Sequence, residues 1–144
     1  MMSDAAAGME TEAVILRAVM RLSRRLRQAA GDSELSGAAL GMLATLRRDG
    51  AMSAAELARR EGLQPQSLTR LLARLEKAGM IERALDRDDR RRQQIAITPK
   101  GTDALRRAMG LRLRWLAAAM GERLAGGERE RLLASAQLML RLAE

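Results

Sequence analysis

The chain has 144 residues, of which 47% are hydrophobic and only 1% aromatic, and it carries a formal net charge of +8. It contains neither cysteine nor histidine, which excludes disulfides, thiolate metal sites, histidine-bound zinc and histidine-based catalysis. The length predicts one domain, or one domain with an oligomerisation arm, and the aliphatic composition favours packed helices. The charge favours a polyanionic partner, although an acidic membrane surface would also satisfy it.

The sequence shows no sign of secretion or membrane insertion. Its N-terminus lacks a basic region followed by an apolar core, and no apolar run approaches the roughly 18–20 residues that span a bilayer. We therefore expect a soluble cytoplasmic protein with no membrane partner.

The first part of the chain predicts two helices. Residues 1–8 are small and polar, so we expect them to be disordered. A helix is predicted over residues 9–30, with Gly31 and Asp32 as its stop. Its apolar side chains recur at helical spacing, namely Ile15, Val19, Leu22 and Leu26. A second helix is predicted to begin at Ser36 and to close at Gly50.

Two short helices across a tight turn follow. Ser53 and Glu56 form a predicted capping box, in which each side chain accepts a hydrogen bond from the backbone N–H of the other residue. That helix is predicted to end near Gly62, and the next to begin at Pro65, whose fixed φ suits the first helical position. The inner stripe of this next helix consists of Leu68, Leu71, Leu72 and Leu75.

The remainder predicts a β-hairpin and two helices. The strands are residues 80–85 and 93–97, joined by a charged tip over residues 86–92. Thr98 then caps a helix that extends to about residue 124, and a last helix covers residues 128–142. The long helix has two apolar faces, which predicts a subunit interface; Trp115, the only aromatic residue, is expected to pack there rather than to bind a ligand.

The outward face of the helix from Pro65 carries side chains suited to a DNA major groove. Glutamine pairs with adenine, and arginine pairs in bidentate fashion with guanine. The predicted contacts are Gln66 with adenine, Arg70 with guanine, Ser67 and Thr69 with bases or phosphate, Arg74 with the backbone, and Gln64 with phosphate at the helix N-terminus. The competing interpretation is an ordinary amphipathic helix with a solvated polar face.

The hairpin tip is rich in arginine. A narrow minor groove attracts an inserted arginine, and a nearby carboxylate can hold that side chain extended. Asp89 and Arg91 are two residues apart, so they can project from the same side of an extended segment. The predicted DNA contacts of the tip are Asp89, Arg90 and Arg91, against the alternative that its mixed charges only solubilise a hairpin.

The stretch from Asp89 to Gly101, with its Asp-x-Arg, alternating strand and Ile-Thr-Pro-Lys-Gly, resembles the wing of MarR-type regulators. Leu68-Thr69-Arg70 resembles part of that family's recognition helix. The resemblance implies a mainly α fold with a small β-hairpin wing, a winged helix-turn-helix with a helical dimerisation arm at both termini. It places Arg91 on the wing-tip arginine and Asp89 on its partner. Arg92 departs from the family, which usually has a small residue there.

The same resemblance implies a homodimeric transcriptional regulator, most often a repressor, that binds a pseudo-palindromic duplex DNA site. The DNA-binding domain is expected over residues 36–101, and the dimerisation region over residues 9–35 and 102–144. A helical protein-interaction module with a basic surface and no specific DNA site is the alternative. We expect no enzyme, because no phosphate-binding loop is present and the only lysines are Lys77 and Lys100.

A regulatory ligand is the least specified part of the prediction. Sensing through cysteine or through histidine-bound zinc is excluded by composition, so we expect no cofactor and no metal. A small aromatic or amphipathic acid, bound between the dimerisation arm and the winged helix, stays open as an effector, with its pocket residues unassigned.

Overall fold

A computed structural model describes residues 2–31 and 35–144 of the chain, with side chains from Met9 onward. Over these residues it contains six helices and one two-stranded antiparallel sheet. The elements are α1 (Met2–Ala29), α2 (Gly37–Asp49), α3 (Ala54–Glu61), α4 (Pro65–Lys77), β1 (Ile81–Leu85), β2 (Gln93–Ile97), α5 (Pro99–Arg123) and α6 (Glu128–Leu142). The predicted fold class, mainly α with a β-hairpin wing, is confirmed.

The chain divides into two compact units. One, the winged-helix unit, covers Ala30–Gly110 and contains α2, α3, α4, the hairpin and the first part of α5. The other, the arm unit, combines residues 1–29 with Leu111–Glu144, and therefore contains α1, the rest of α5 and α6.

The start of α1 corrects the sequence prediction. The helix begins at Met2, so residues 2–8 are helical in backbone rather than disordered. Three consecutive alanines in that segment have the highest helix propensity of any residue, which favours continuation of the helix. At the other end Gly31 has φ 60°, as expected of a helix stop, while Asp32, the second residue of the predicted stop, lies outside the described residues.

The helix starts of the winged-helix unit follow from local capping. Ser36 caps α2 by accepting from the N–H of Ala39 at 3.2 Å, and Ser53 caps α3 by accepting from the N–H of Glu56 at 3.2 Å. The second half of the predicted capping box is replaced, because the Glu56 carboxylate accepts from Arg59 and Arg60 instead. Charged donors three and four residues along the helix compete well for that carboxylate.

One aliphatic core holds the winged-helix unit together. Its most deeply buried side chains come from α2, α3 and the second hairpin strand: Met42, Leu43, Leu46, Leu57 and Ile95. The leucine stripe of α4 joins the same core. Met52, in the loop before α3, pairs with Ile95 through two backbone hydrogen bonds of 3.1 and 2.8 Å, which attaches the hairpin to the helices.

The junction between the hairpin and α5 depends on a glycine. Thr98 accepts from the N–H of Gly101 at 3.1 Å and donates to the Gly79 carbonyl at 2.6 Å, so it caps α5 and ties it to the end of α4. A Cβ on Gly101 would lie 2.1 Å from the carbonyl oxygen of Met80. Only glycine therefore allows α5 to approach the start of β1 this closely.

Candidate nucleic-acid interface

Helix α4 presents one apolar and one polar face because its leucines recur at helical spacing. Leu68, Leu71, Leu72 and Leu75 are all buried and fix the helix rotationally. All six residues that the sequence nominated on this helix are exposed: Gln64, Gln66, Ser67, Thr69, Arg70 and Arg74. Gln64 is the N-cap residue and makes no side-chain capping hydrogen bond, so its amide remains available. The predicted outward face therefore exists as one surface.

The arginines of α4 differ from those of the preceding helix. On α3, Arg60 contacts both Asp49 and Glu56 at 2.7 Å, and Arg59 contacts Glu56 at 2.6 Å. Within the described part of the chain, the side chains of Arg70 and Arg74 form neither an ion pair nor a hydrogen bond. The α3 arginines are neutralised within the fold, whereas the α4 arginines keep their donors for an external acceptor.

Thr69 is held differently from the other polar residues of this face. Its hydroxyl donates to the carbonyl oxygen of Pro65, one turn earlier, at 2.8 Å. The hydroxyl hydrogen is thus committed within the helix, and Thr69 offers a partner its methyl group and its oxygen lone pairs.

The wing tip is shaped by two aspartates. The Asp86 carboxylate accepts from the N–H of Asp88 at 2.8 Å and from the Gln94 side chain at 2.9 Å. Asp89 accepts from the N–H of Arg91 at 3.0 Å, while its carbonyl oxygen accepts from the N–H of Arg92 at 2.9 Å. The tip is therefore a pair of Asx-type turns rather than an extended segment.

The geometry of the tip corrects the expected pairing of Asp89 with the Arg91 side chain. Asp89 holds the Arg91 backbone, and its ion-pair partner is the guanidinium of Arg92 at 3.6 Å. Arg90 and Arg91 are exposed, and neither side chain forms an ion pair with any described residue. Arg92, the departure from the family pattern, is accommodated because Asp89 partly neutralises it.

Two positioning contacts were missed by sequence reasoning. Asp86 organises the tip, and its Asx pattern with Asp88 was visible in the sequence but was treated only as charge. Arg83 on β1 donates to Glu76 on α4 at 3.1 Å and so ties the wing to the helix. The sequence does not predict the pair of Arg83 and Glu76, because only the turn after α4 brings the two residues together.

The carboxylates that organise this unit are held in their charged form. Side-chain hydrogen bonds from Arg59 and Arg60 lower the pKa of Glu56 to about 2. The pKa of Asp49 is lowered chiefly by a hydrogen bond from Arg48, and that of Asp86 chiefly by the backbone N–H of Asp88 and then by Gln94. These acids therefore remain ionised and bonded within the fold at neutral pH.

The described residues contain no cluster of three or more acidic, cysteine or histidine side chains placed to hold a metal ion. Nor does any helix in the described part of the chain combine the length and apolar character that crossing a membrane requires.

A capped helix-turn-helix followed by a β-hairpin with free arginines is the architecture of winged-helix DNA-binding proteins. A model of the MarR family matches residues 35–92. An uncharacterized HTH-type transcriptional regulator of Mycobacterium bovis is 39% identical over 130 residues, which covers 88% of each chain. The chain belongs to the MarR family of DNA-binding transcriptional regulators. The expectation that it is not an enzyme is confirmed by that membership.

Solved structures agree with this assignment. A putative transcriptional regulator from Pseudomonas aeruginosa is 30% identical and aligns with a TM-score of 0.79 over 94% of this chain and 95% of its own. A mutant of MarR from E. coli is 21% identical and aligns with the same TM-score, 0.79, over 90% of this chain and 95% of its own. The second likeness concerns the fold alone.

Proposed function

We propose that the protein is a cytoplasmic repressor that binds a pseudo-palindromic duplex DNA site as a homodimer. Residues 36–101 supply the DNA-binding domain, and residues 9–35 with 102–144 supply the dimerisation region. The observation that carries the proposal is the outward face of α4, where Arg70 and Arg74 have no acceptor among the described residues, although every arginine of α3 has one.

Each nominated residue has a role in this proposal. Gln66 and Arg70 read base edges in the major groove, Ser67 and Thr69 contact bases or phosphate, and Gln64 and Arg74 contact the backbone. At the wing, Arg91 enters the minor groove and Arg90 adds a phosphate contact. Asp89 does not touch DNA in this scheme; it fixes the backbone from which Arg91 projects, by its hydrogen bond to the Arg91 N–H.

Dimerisation is supported by the apolar surface of the arm unit. No residue of α6 is buried, and Leu133, Leu140 and Leu142 on that helix are 61%, 67% and 84% exposed. On α1, Val14 and Leu16 are 57% and 61% exposed. Apolar area on this scale marks a protein interface, and twofold pairing of arm units would bury it.

Release by a small acidic ligand completes the proposal. We place this ligand within the arm unit, and not between the arm and the winged helix as considered from the sequence. A cleft of about 600 Å³ there is lined by four arginines, Trp115, Leu22 and Gln28, with no carboxylate among the lining residues. Trp115 would thus contact the ligand, contrary to the packing role expected from the sequence. The Arg25 guanidinium lies 5.7 Å from the centre of the Trp115 ring. Positive charge beside an aromatic face suits an aromatic or amphipathic acid.

The proposal is tested with DNA selected by the full-length protein from a random duplex pool. Arg70→Ala should relax the preference for one base pair of the site. The loss of binding free energy at the preferred base should be about 1–3 kcal/mol. Arg91→Ala should weaken binding about tenfold with little change in major-groove preference, since a minor-groove arginine reads groove shape rather than base identity.

The matched control is Arg106→Ala. Arg106 is an exposed arginine of α5 whose guanidinium pairs with Asp103 at 3.0 Å, so its loss changes the net charge by the same amount. Affinities are measured at about physiological salt, because phosphate contacts make binding steeply salt-dependent. If Arg70→Ala and Arg91→Ala both bound like the Arg106→Ala control, the proposed interface would be wrong.

A further inference from the structure

Two apolar methyl groups lie on the outward face of α4. Thr69 and Ala73 are four residues apart, so both project from the same side of the helix, and both are exposed. Ala73 was not nominated from the sequence. It lies one turn beyond Arg70 and one turn before the exposed Lys77, at the centre of the face opposite the buried leucines.

The side chains of Thr69 and Ala73 offer a partner similar contact groups. Alanine offers only a methyl group. Thr69 has its hydroxyl hydrogen committed to the Pro65 carbonyl at 2.8 Å, so its remaining contact groups are a methyl group and oxygen lone pairs. The neighbouring polar side chains, Gln66 and Arg70, keep their donors free. The face therefore carries an apolar strip beside its hydrogen-bonding residues.

The major groove of unmodified DNA has one apolar group, the C5 methyl of thymine. We propose that Thr69 and Ala73 are specificity-determining residues that contact thymine methyl groups in each half-site. This inference rests on the proposed function, because it assumes that α4 occupies the major groove. It adds a contact with thymine that the hydrogen-bonding residues of α4 do not make.

The size of the effect follows from the burial of a methyl group. Burial of one such group is worth about 0.8 kcal/mol, which corresponds to roughly a fourfold change in affinity. Deoxyuridine lacks only that methyl group and keeps the base-pairing edge of thymidine. Replacement of thymidine by deoxyuridine therefore isolates the proposed contact from hydrogen bonding and from the sequence of the site.

The experiment uses the full-length protein and the duplex that it selects from a random pool made with unmodified cytosine. Each thymidine of one half-site is replaced in turn by deoxyuridine, and the ratio of dissociation constants is measured for the parent and for variants. Thr69→Ser removes the methyl group and keeps the hydroxyl that bonds to Pro65. Ala73→Gly removes the other methyl group. Thr102→Ser, the same chemical change on α5, is the matched control.

The inference predicts that deoxyuridine weakens parent binding roughly fourfold at one or two positions of the half-site. In Thr69→Ser, the ratio of the dissociation constants with deoxyuridine and with thymidine should fall to about one at one of these positions. In Ala73→Gly, it should fall to about one at the other position. Thr102→Ser should keep the parent ratios at both. Because each ratio compares two duplexes with the same variant, a general loss of helix stability cancels.

The inference is overturned if selective binding is found but every deoxyuridine ratio stays near one in the parent. It is equally overturned if Thr69→Ser and Ala73→Gly both retain the parent ratios. In either case the proposed DNA-binding function stands. Failure of the protein to select any duplex from the pool would instead contradict the proposed function itself, and the thymine contacts with it.

Discussion

The winged-helix unit and the arm unit place their apolar side chains in opposite ways. Every buried hydrophobic side chain of the described residues falls between Ala30 and Ala108, inside the winged-helix unit. Among the described residues, the exposed large hydrophobic side chains are concentrated in the arm unit, and only Leu85 and Met109 lie outside it. The first unit completes its own core, whereas the second leaves apolar surface exposed, which the proposed homodimer would bury.

Helix α5 shows the same difference along its own length. Its first turns bury Ala104 and Leu105 against the winged-helix core. Further along the same helix, Leu113 is 58% exposed. In the proposed homodimer, this helix would connect the subunit interface to the DNA-binding unit.

The largest effect is expected from a charge placed in the apolar stripe of α6. Ala136 lies at the centre of the stripe formed by Leu132, Leu133, Met139 and Leu140. Ala136→Asp would bury an unpaired carboxylate in a dimer, at a cost of several kcal/mol. We expect the dimer dissociation constant, measured by analytical ultracentrifugation, to rise more than hundredfold.

Ala134→Asp is the matched control for that prediction. It introduces the same charge two residues away, on the opposite face of α6, where Ala134 is also exposed. The control should remain dimeric. Equal masses for the two variants would show that this stripe is not the interface.

The next effect contrasts two glycines of α5. Gly101→Ala would place a Cβ 2.1 Å from the Met80 carbonyl oxygen, whereas nothing lies within 4 Å of a Cβ at Gly121. We expect Gly101→Ala to lower the free energy of unfolding by about 3 kcal/mol, because the backbone must move apart. Gly121→Ala should instead raise it by up to about 1 kcal/mol through helix propensity.

Urea unfolding at one fixed protein concentration measures both changes. A fixed concentration is needed because the stability of a dimer depends on it. If Gly101→Ala were as stable as the parent, the prediction would be wrong. The backbone at the junction of α5 and β1 would then be able to move apart at little cost in free energy.

The smallest effect concerns acid stability. The pKa of Glu56 is lowered from 4.5 to about 2, so its bonds to Arg59 and Arg60 stabilise the fold above pH 4.5 and are lost as the pH falls toward 2. Glu56→Gln should therefore lower the free energy of unfolding at neutral pH. Between pH 4.5 and 2, the free energy of unfolding should fall less steeply in the variant than in the parent. Asp49, whose pKa is also lowered, should preserve part of the decline. An unchanged decline in the variant would contradict the assigned role of Glu56.

Features encoded by neighbouring residues were predicted well from the sequence. Ser36, Ser53, Pro65 and Thr98 mark helix starts through capping or a fixed φ, and the structure confirms each of them. The leucine stripe of α4 fixed in advance which side chains point outward, so all six nominated residues of that helix are exposed. These signals are local and do not depend on the rest of the fold.

Features decided by competition or by distant contacts were predicted poorly. Three donors could reach the Glu56 carboxylate, and Arg59 and Arg60 displaced the backbone N–H of Ser53. Asp89 was matched to the wrong arginine because the tip turns rather than extends. The ion pair between Glu76 and Arg83 depends on the orientation of β1 relative to α4. The spacing of apolar residues does not predict that orientation.

In the proposed homodimer, paired arm units set the distance between two winged helices on DNA. In the selected duplex, half-site centres should lie about one helical turn, or 10–10.5 base pairs, apart. The most direct test inserts five base pairs between the half-sites, which rotates one by about half a turn. The account predicts that affinity falls more than a hundredfold and that full insertion of about ten base pairs restores part of it. Undiminished affinity after the five-base-pair insertion would mean that the winged helices bind independently, and would contradict the account.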